Sequence, residues 1–148
     1  MNQPLYYGSV NVLFYRNDNE VLLLKRKNTG FEDGKWGIVA GKIEGREDVV
    51  SAAIREAKEE AGVRIDSNEI NVVGVMHRNN IKNEWIDFYV KVDSWQGEII
   101  NVEPDKCEEF KWFKVDKLPS NMIPFIRTAI EKNHQQMWFE SFGWEKSK

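Results

Sequence analysis

Only one cysteine, Cys107, occurs in the 148 residues. No internal disulfide can therefore staple the fold, and the expected setting is the reducing cytoplasm. Long apolar runs are missing as well. A membrane-spanning helix takes about 20 such residues, and the longest runs here are strand-sized. Met1-Asn2-Gln3-Pro4 has neither the basic head nor the apolar core of a secretory leader. Nor is there a surplus of positive charge: 21 Lys and Arg stand against 24 Asp and Glu, a net charge of -3. That balance argues against binding nucleic acid through its phosphate backbone, although a local basic patch could hold a small anion. Repeats, low-complexity tracts and long linkers are absent.

What remains is the profile of a soluble globular chain, 41% hydrophobic and 30% charged. Its length suits a single domain over 1–148. Leu5 to Tyr15 is apolar and β-branched with partial alternation, and predicts a strand. Arg16 to Asn19 predicts a turn and Val21 to Arg26 the returning strand. Residues 28–35 form a polar loop, and Trp36 to Ala40 a short strand. Further strands are expected over Asn71–His77, Trp85–Val92 and Glu109–Val115, with a short one over Glu98–Asn101. A second helix is expected over about 122–133, capped by Ser120 or Asn121, with Pro124 tolerated in its first turn. Met137 to Trp144 is aromatic and reads as strand or packed coil. The pattern gives an α+β fold with helices packed on both sides of a mixed β-sheet.

Gly41 to Val63 carries the chemistry. Asp48 is a good N-cap with Val49 as first helical residue, and Gly62 a C-terminal cap. Val50, Ala53, Ile54, Ala57 and Ala61 form the apolar stripe. At 100° per residue Glu60 lies beside that stripe, Glu56 next and Glu59 further round. Three crowded acids repel one another unless a cation sits among them, and magnesium favours such hard oxygen ligands. A solvated Glu-rich face, with Arg55 and Glu59 as an ordinary i,i+4 pair, is the bland alternative.

The spacing decides between them. Gly41, five residues, Glu47, seven residues, Arg55-Glu56, Ala57, one residue, Glu59-Glu60, one residue, Gly62 and Val63 together resemble the Nudix box. All seven fixed letters are present, and chance would match them in on the order of one window in 10^8. The resemblance implies a Nudix-type α/β/α sandwich. It also implies water attack on a phosphorus of a nucleoside diphosphate linked to another group, assisted by Mg2+ or Mn2+. Such ions neutralise phosphate charge, clamp the attacking and leaving oxygens and make water more acidic. By box position, the resemblance makes Glu56 and Glu60 the principal metal ligands and Glu59 a third ligand or a base. Arg55 would orient a carboxylate, Glu47 would support it, and Ala40 would offer its backbone carbonyl to the metal.

Outside the box the same resemblance points to Arg26 against substrate phosphates, and to Glu103 or Asp105 as metal ligand, base or substrate contact. Glu108 or Glu109 would meet the substrate. His77 and Arg78 end a strand and could reach the cleft. Trp85 or Trp112 could stack on a base, and Cys107 is expected to be a packed thiol. The leading expectation is hydrolysis of a nucleoside triphosphate to a monophosphate. Hydrolysis of ADP-ribose or a dinucleoside polyphosphate is the same-fold alternative, and a catalytically idle nucleotide sensor the alternative of another class. A homodimer remains open.

Overall fold

The computed structural model describes residues 3–133 and 136–145. The ends of the domain expected over 1–148 therefore lie outside the described residues. Eight strands and two helices follow in the order β1 (Tyr6–Arg16), β2 (Glu20–Arg26), β3 (Trp36–Gly37), β4 (Val39–Lys42), α1 (Val49–Ala61), β5 (Asn71–Asn79), β6 (Glu84–Val92), β7 (Cys107–Lys114), α2 (Pro124–Lys132) and β8 (Trp138–Phe142). The sheet runs β3-β2-β1-β6-β5-β8, with β4 joining β1 and β7 joining β2. It is mixed: β1 lies parallel to β6 and β5 parallel to β8, while the other pairs are antiparallel.

Strand β1 organises the whole. It is apolar on both faces, because a helix covers each side of the sheet. Val10, Val12 and Phe14 point into one core with Ala52, Ala53, Ala57 and Ala61 of α1. Leu13 and Tyr15 point into a second core with Ile126, Ala129 and Ile130 of α2, closed by Trp138 of β8. Side-chain alternation along one strand thus feeds both layers of the sandwich. The expected α+β arrangement, helices on both faces of a mixed sheet, is the one observed.

Several local expectations need correction. Trp36–Ala40 is two strands. Trp36 and Gly37 pair with Lys25 and Leu24 of β2, whereas Val39 to Lys42 pair with β1. The break at Ile38 lets one segment serve two partners. Glu98–Asn101 forms no strand. Instead Ile100 N–H donates to the carbonyl of Ala61, so this segment closes the C-terminal end of α1. Helix α2 starts at Pro124 with Ile123 as N-cap, and neither Ser120 nor Asn121 caps it. Proline at the first helical position needs no partner for a missing N–H, which lowers the demand for a side-chain cap. The ambiguous tail is strand β8, docked on β5.

Candidate active site

Strand β4 delivers the chain to the loop that precedes α1. Asp48 caps the helix by accepting from Ser51 N–H, and Gly62 ends it in the left-handed region at φ 70°. The alanine stripe lets α1 lie close to β1 and β4. Its buried centre is Ala52, Ala53, Ala57 and Ala61, while Val50 and Ile54 are only half-buried at the margin. This rotation changes the expected order of the acids. Glu56 is the most buried, at 7% exposure, Glu60 is intermediate, and Glu59 faces out.

Arg55 ties the box together. Its Nε and Nη2 donate to Glu47 Oε2 and Oε1 at 2.7 and 2.9 Å. Its Nη1 reaches Glu56 Oε1 at 2.7 Å and Glu59 Oε2 at 3.3 Å, and its Nη2 also donates to the carbonyl of Lys42 at 3.0 Å. The two-pronged pair with Glu47 is the strong form of an ion pair. The Arg55 guanidinium, helped by the backbone N–H of Glu44, holds the Glu47 carboxyl down to about 2. Gly41 supplies room: a Cβ there would lie 2.1 Å from Glu56 Oε1.

Glu60 behaves differently. Part of its side chain is accessible, but its carboxyl is enclosed, and burial raises its pKa well above the ordinary value. A hydrogen bond with Glu56 and the charges of Glu56 and Glu103 add to the shift, while the backbone N–H of Ala40 partly offsets it. Among the described residues no three carboxylate, imidazole or thiol side chains stand close enough together to coordinate an ion as they are. The chemistry of the donor set nonetheless fits a hard divalent cation. Glu56 and Glu60 touch, Glu103 adds charge, and among the described residues Arg55 alone forms an ion pair with any of these three acids.

Two cavities flank this cluster. One, of about 280 Å³, is lined by Glu60, Glu103, Arg26, Lys106, Asn28 and Cys107 among others. The other, of about 380 Å³, is more apolar, with Phe31, Trp85, Phe125, Asn11 and Arg78 in its walls. Arg26 and Ala40 belong to both. Arg26 also braces the 28–35 loop, donating to Phe31 O at 2.7 Å and to Thr29 Oγ1 at 3.0 Å.

The remaining sequence-based assignments divide. Arg78 reaches the larger cavity and His77 does not, because neighbours on a strand face opposite sides. His77 packs instead against Tyr6 and Trp144. Glu103 lines the smaller cavity, but Asp105 and Glu109 line neither. The carbonyl of Asp105 accepts from Asn28, and Glu109 is exposed on β7. Glu108 pairs loosely with Lys25 at 3.7 Å. Trp85 lines the larger cavity, whereas Trp112 stacks on Trp95 beneath Arg16. Cys107 is a buried free thiol whose pKa is raised by burial. Sequence reasoning missed Ser9, Asn11, Asp87, Phe31, Phe125 and Lys106. For Ser9, Asn11 and Asp87 a signal existed: polar residues interrupt otherwise apolar strands.

Comparison with known proteins follows the same lines. The family model described as NUDIX domain matches residues 6–132. The oxidized purine nucleoside triphosphate hydrolase of Danio rerio is 30% identical over 132 residues, 83% of this chain and 68% of that protein. The ADP-ribose pyrophosphatase of Methanocaldococcus jannaschii is 30% identical over 119 residues, 80% of this chain and 68% of that protein. Among solved structures, the MutT NUDIX hydrolase of Burkholderia pseudomallei superposes with a TM-score of 0.79 at 29% identity, covering 86% of this chain and 97% of that one.

Proposed function

The chain belongs to the Nudix family of hydrolases, and from that premise we propose that it is a divalent-metal-dependent pyrophosphohydrolase that converts a nucleoside triphosphate to a monophosphate and pyrophosphate. The carrying observation is the adjacency of the two cavities. A carboxylate-lined hollow with Arg26 and Lys106 on its rim shares a wall with an aromatic-lined hollow. A polyphosphate suits the first and a nucleoside the second.

Glu56, Glu60 and Glu59, with the carbonyl of Ala40 and the carboxylate of Glu103, are the groups that would hold the metal. A divalent ion so held, magnesium or manganese, would neutralise phosphate charge and favour an ionised water. Arg55 keeps Glu56 in place through its own anchorage on Glu47. Arg26 and Lys106, in the walls of the same cavity as Glu60 and Glu103, would offset the charge of the phosphates. Glu59, the most exposed of the three helix acids, takes the proton from water, with Glu103 as the alternative base. A cytoplasmic setting agrees with the single reduced thiol. Among the described residues no helix is long and apolar enough to cross a membrane.

A second reading, hydrolysis of ADP-ribose, is supported by the similarity to the Methanocaldococcus jannaschii protein. One assay separates these readings and the idle sensor. The purified chain is incubated with magnesium and a panel of nucleoside triphosphates, dinucleoside polyphosphates and ADP-ribose, and the products are resolved by chromatography. Monophosphate and pyrophosphate from a triphosphate are expected. Glu56→Gln should lower that turnover by about 100-fold or more with an unchanged circular dichroism spectrum. Binding without turnover at any metal concentration would favour the sensor, and preferential cleavage of ADP-ribose the second reading.

A further inference from the structure

Four polar side chains, Ser9, Asn11, Arg78 and Asp87, are buried together beneath the larger cavity. Burial of this kind demands partners. Arg78 donates Nε to Asp87 Oδ2 at 2.6 Å and Nη2 to Asp87 Oδ1 at 3.2 Å. Ser9 Oγ gives its only proton to Asp87 Oδ1 at 2.7 Å. Having donated, the Ser9 oxygen can only accept, and Asn11 Nδ2 donates to it at 2.9 Å. Asn11 Nδ2 also donates to the backbone carbonyl of Phe88 at 3.4 Å, so the Asp87-oriented hydroxyl and that carbonyl together dictate which way the Asn11 amide faces.

Two groups are left over. Asn11 Oδ1 and Arg78 Nη1 have no hydrogen-bond partner among the described residues, and both side chains line the same cavity. The guanidinium is also held as a plate, with Cζ 4.1 Å from the Phe125 ring centroid and 5.1 Å from that of Trp85. The wall therefore presents one obligate acceptor beside one cationic donor.

A 6-oxopurine shows the complementary edge. Its O6 and N7 accept from a guanidinium, and its N1–H meets a carbonyl oxygen. A 6-aminopurine in the same register sets an amino donor against the arginine and a bare ring nitrogen against Asn11 Oδ1. We propose that Asn11 and Arg78, positioned by Ser9 and Asp87, are specificity-determining residues that select a 6-oxopurine nucleotide over a 6-aminopurine one. The proposal rests on the reading of this cleft as a nucleotide site.

Isothermal titration of the full chain with inosine and adenosine 5′-monophosphates tests it without turnover or metal. Inosine lacks the 2-amino group of guanosine, so the comparison isolates the edge in question. The inosine nucleotide should bind at least about tenfold more tightly, Asn11→Leu and Asn11→Ala should each bring the ratio to within about threefold, and Ser9→Ala should lower it less, because the Phe88 carbonyl still holds the amide. Asn11→Ala removes the amide without adding bulk, so it decides the matter if Asn11→Leu fails to fold. Equal affinities, a preference for the adenosine nucleotide, or an unchanged ratio in a folded Asn11→Ala would each overturn the proposal and leave the nucleotide reading standing. Failure of both nucleotides to bind would remove the proposal and that reading together.

Discussion

A Cβ on residue 41 would stand 2.1 Å from Glu56 Oε1, so the carboxylate occupies space that only glycine leaves free. Gly41→Ala is expected to push the Glu56 carboxylate aside and to reduce turnover by about 100-fold, since a displacement near 1 Å costs that much. The thermal midpoint should barely move, which distinguishes lost geometry from lost folding. Glu60 makes a different prediction. Burial, the hydrogen bond with Glu56 and the charges of Glu56 and Glu103 hold its carboxyl protonated well above the ordinary range. A raised folded-state pKa contributes stability below the unfolded value, and that contribution is lost as pH rises through the folded one. Glu60→Gln mimics the protonated form. In chelator it should melt higher than the parent at pH 8, with a smaller gap at pH 4, as calorimetry would read. A gap independent of pH would contradict the enclosed, crowded carboxyl. The box itself was legible as a family resemblance, because residue identity and spacing are all that a motif needs. The order of burial of its acids was not, since it depends on which alanines of α1 meet β1 and β4.

Helix α1 and the loop before it act as one element. Glu47 sits ahead of the cap yet is bound to Arg55 in the second turn, so loop and helix share a single ion pair. The Glu47 carboxyl is held down to about 2, first by the Arg55 hydrogen bonds and then by the Glu44 N–H. A depressed carboxylate contributes stability above its unfolded pKa of about 4.3, and loses it as pH falls through the folded value. Glu47→Gln should therefore lower the thermal midpoint at pH 6 and converge on the parent near pH 2. Parallel melting curves across that window would refute the assignment. The bounds of α1 could be read directly, because capping is local chemistry: Asp48 to Ser51, Gly62 to Lys58. Trp36–Ala40 and Glu98–Asn101 could not. Whether an extended segment is a strand depends on which backbone lies beside it, and those partners come from β1, β2 and the end of α1.

At the scale of the whole molecule, the sheet separates two cores, and the second of them is sealed by β8. Gly74 of β5 permits that seal, because a Cβ there would lie 2.0 Å from Trp138 Cε2. Gly74→Ala should cost about 2 kcal/mol through overpacking, seen as a lower urea midpoint, whereas Gly41→Ala should spare stability and lose activity. An unaltered midpoint would mean that β8 docks loosely. The amino-acid sequence by itself determined the family motif, the caps of α1 and the alternation that makes β1 two-faced, since each rests on residue type and short spacing. Only the tertiary structure decided that Arg78 enters the cleft while His77, Asp105 and Glu109 stay out, and that Ser9, Asn11 and Asp87 meet. Asn11 and Asp87 lie 76 positions apart in the chain, and their proximity follows from the parallel register of β1 on β6, which pairs Ser9 with Asp87. Long-range register is set by the packing of the two cores, and no local pattern encodes it.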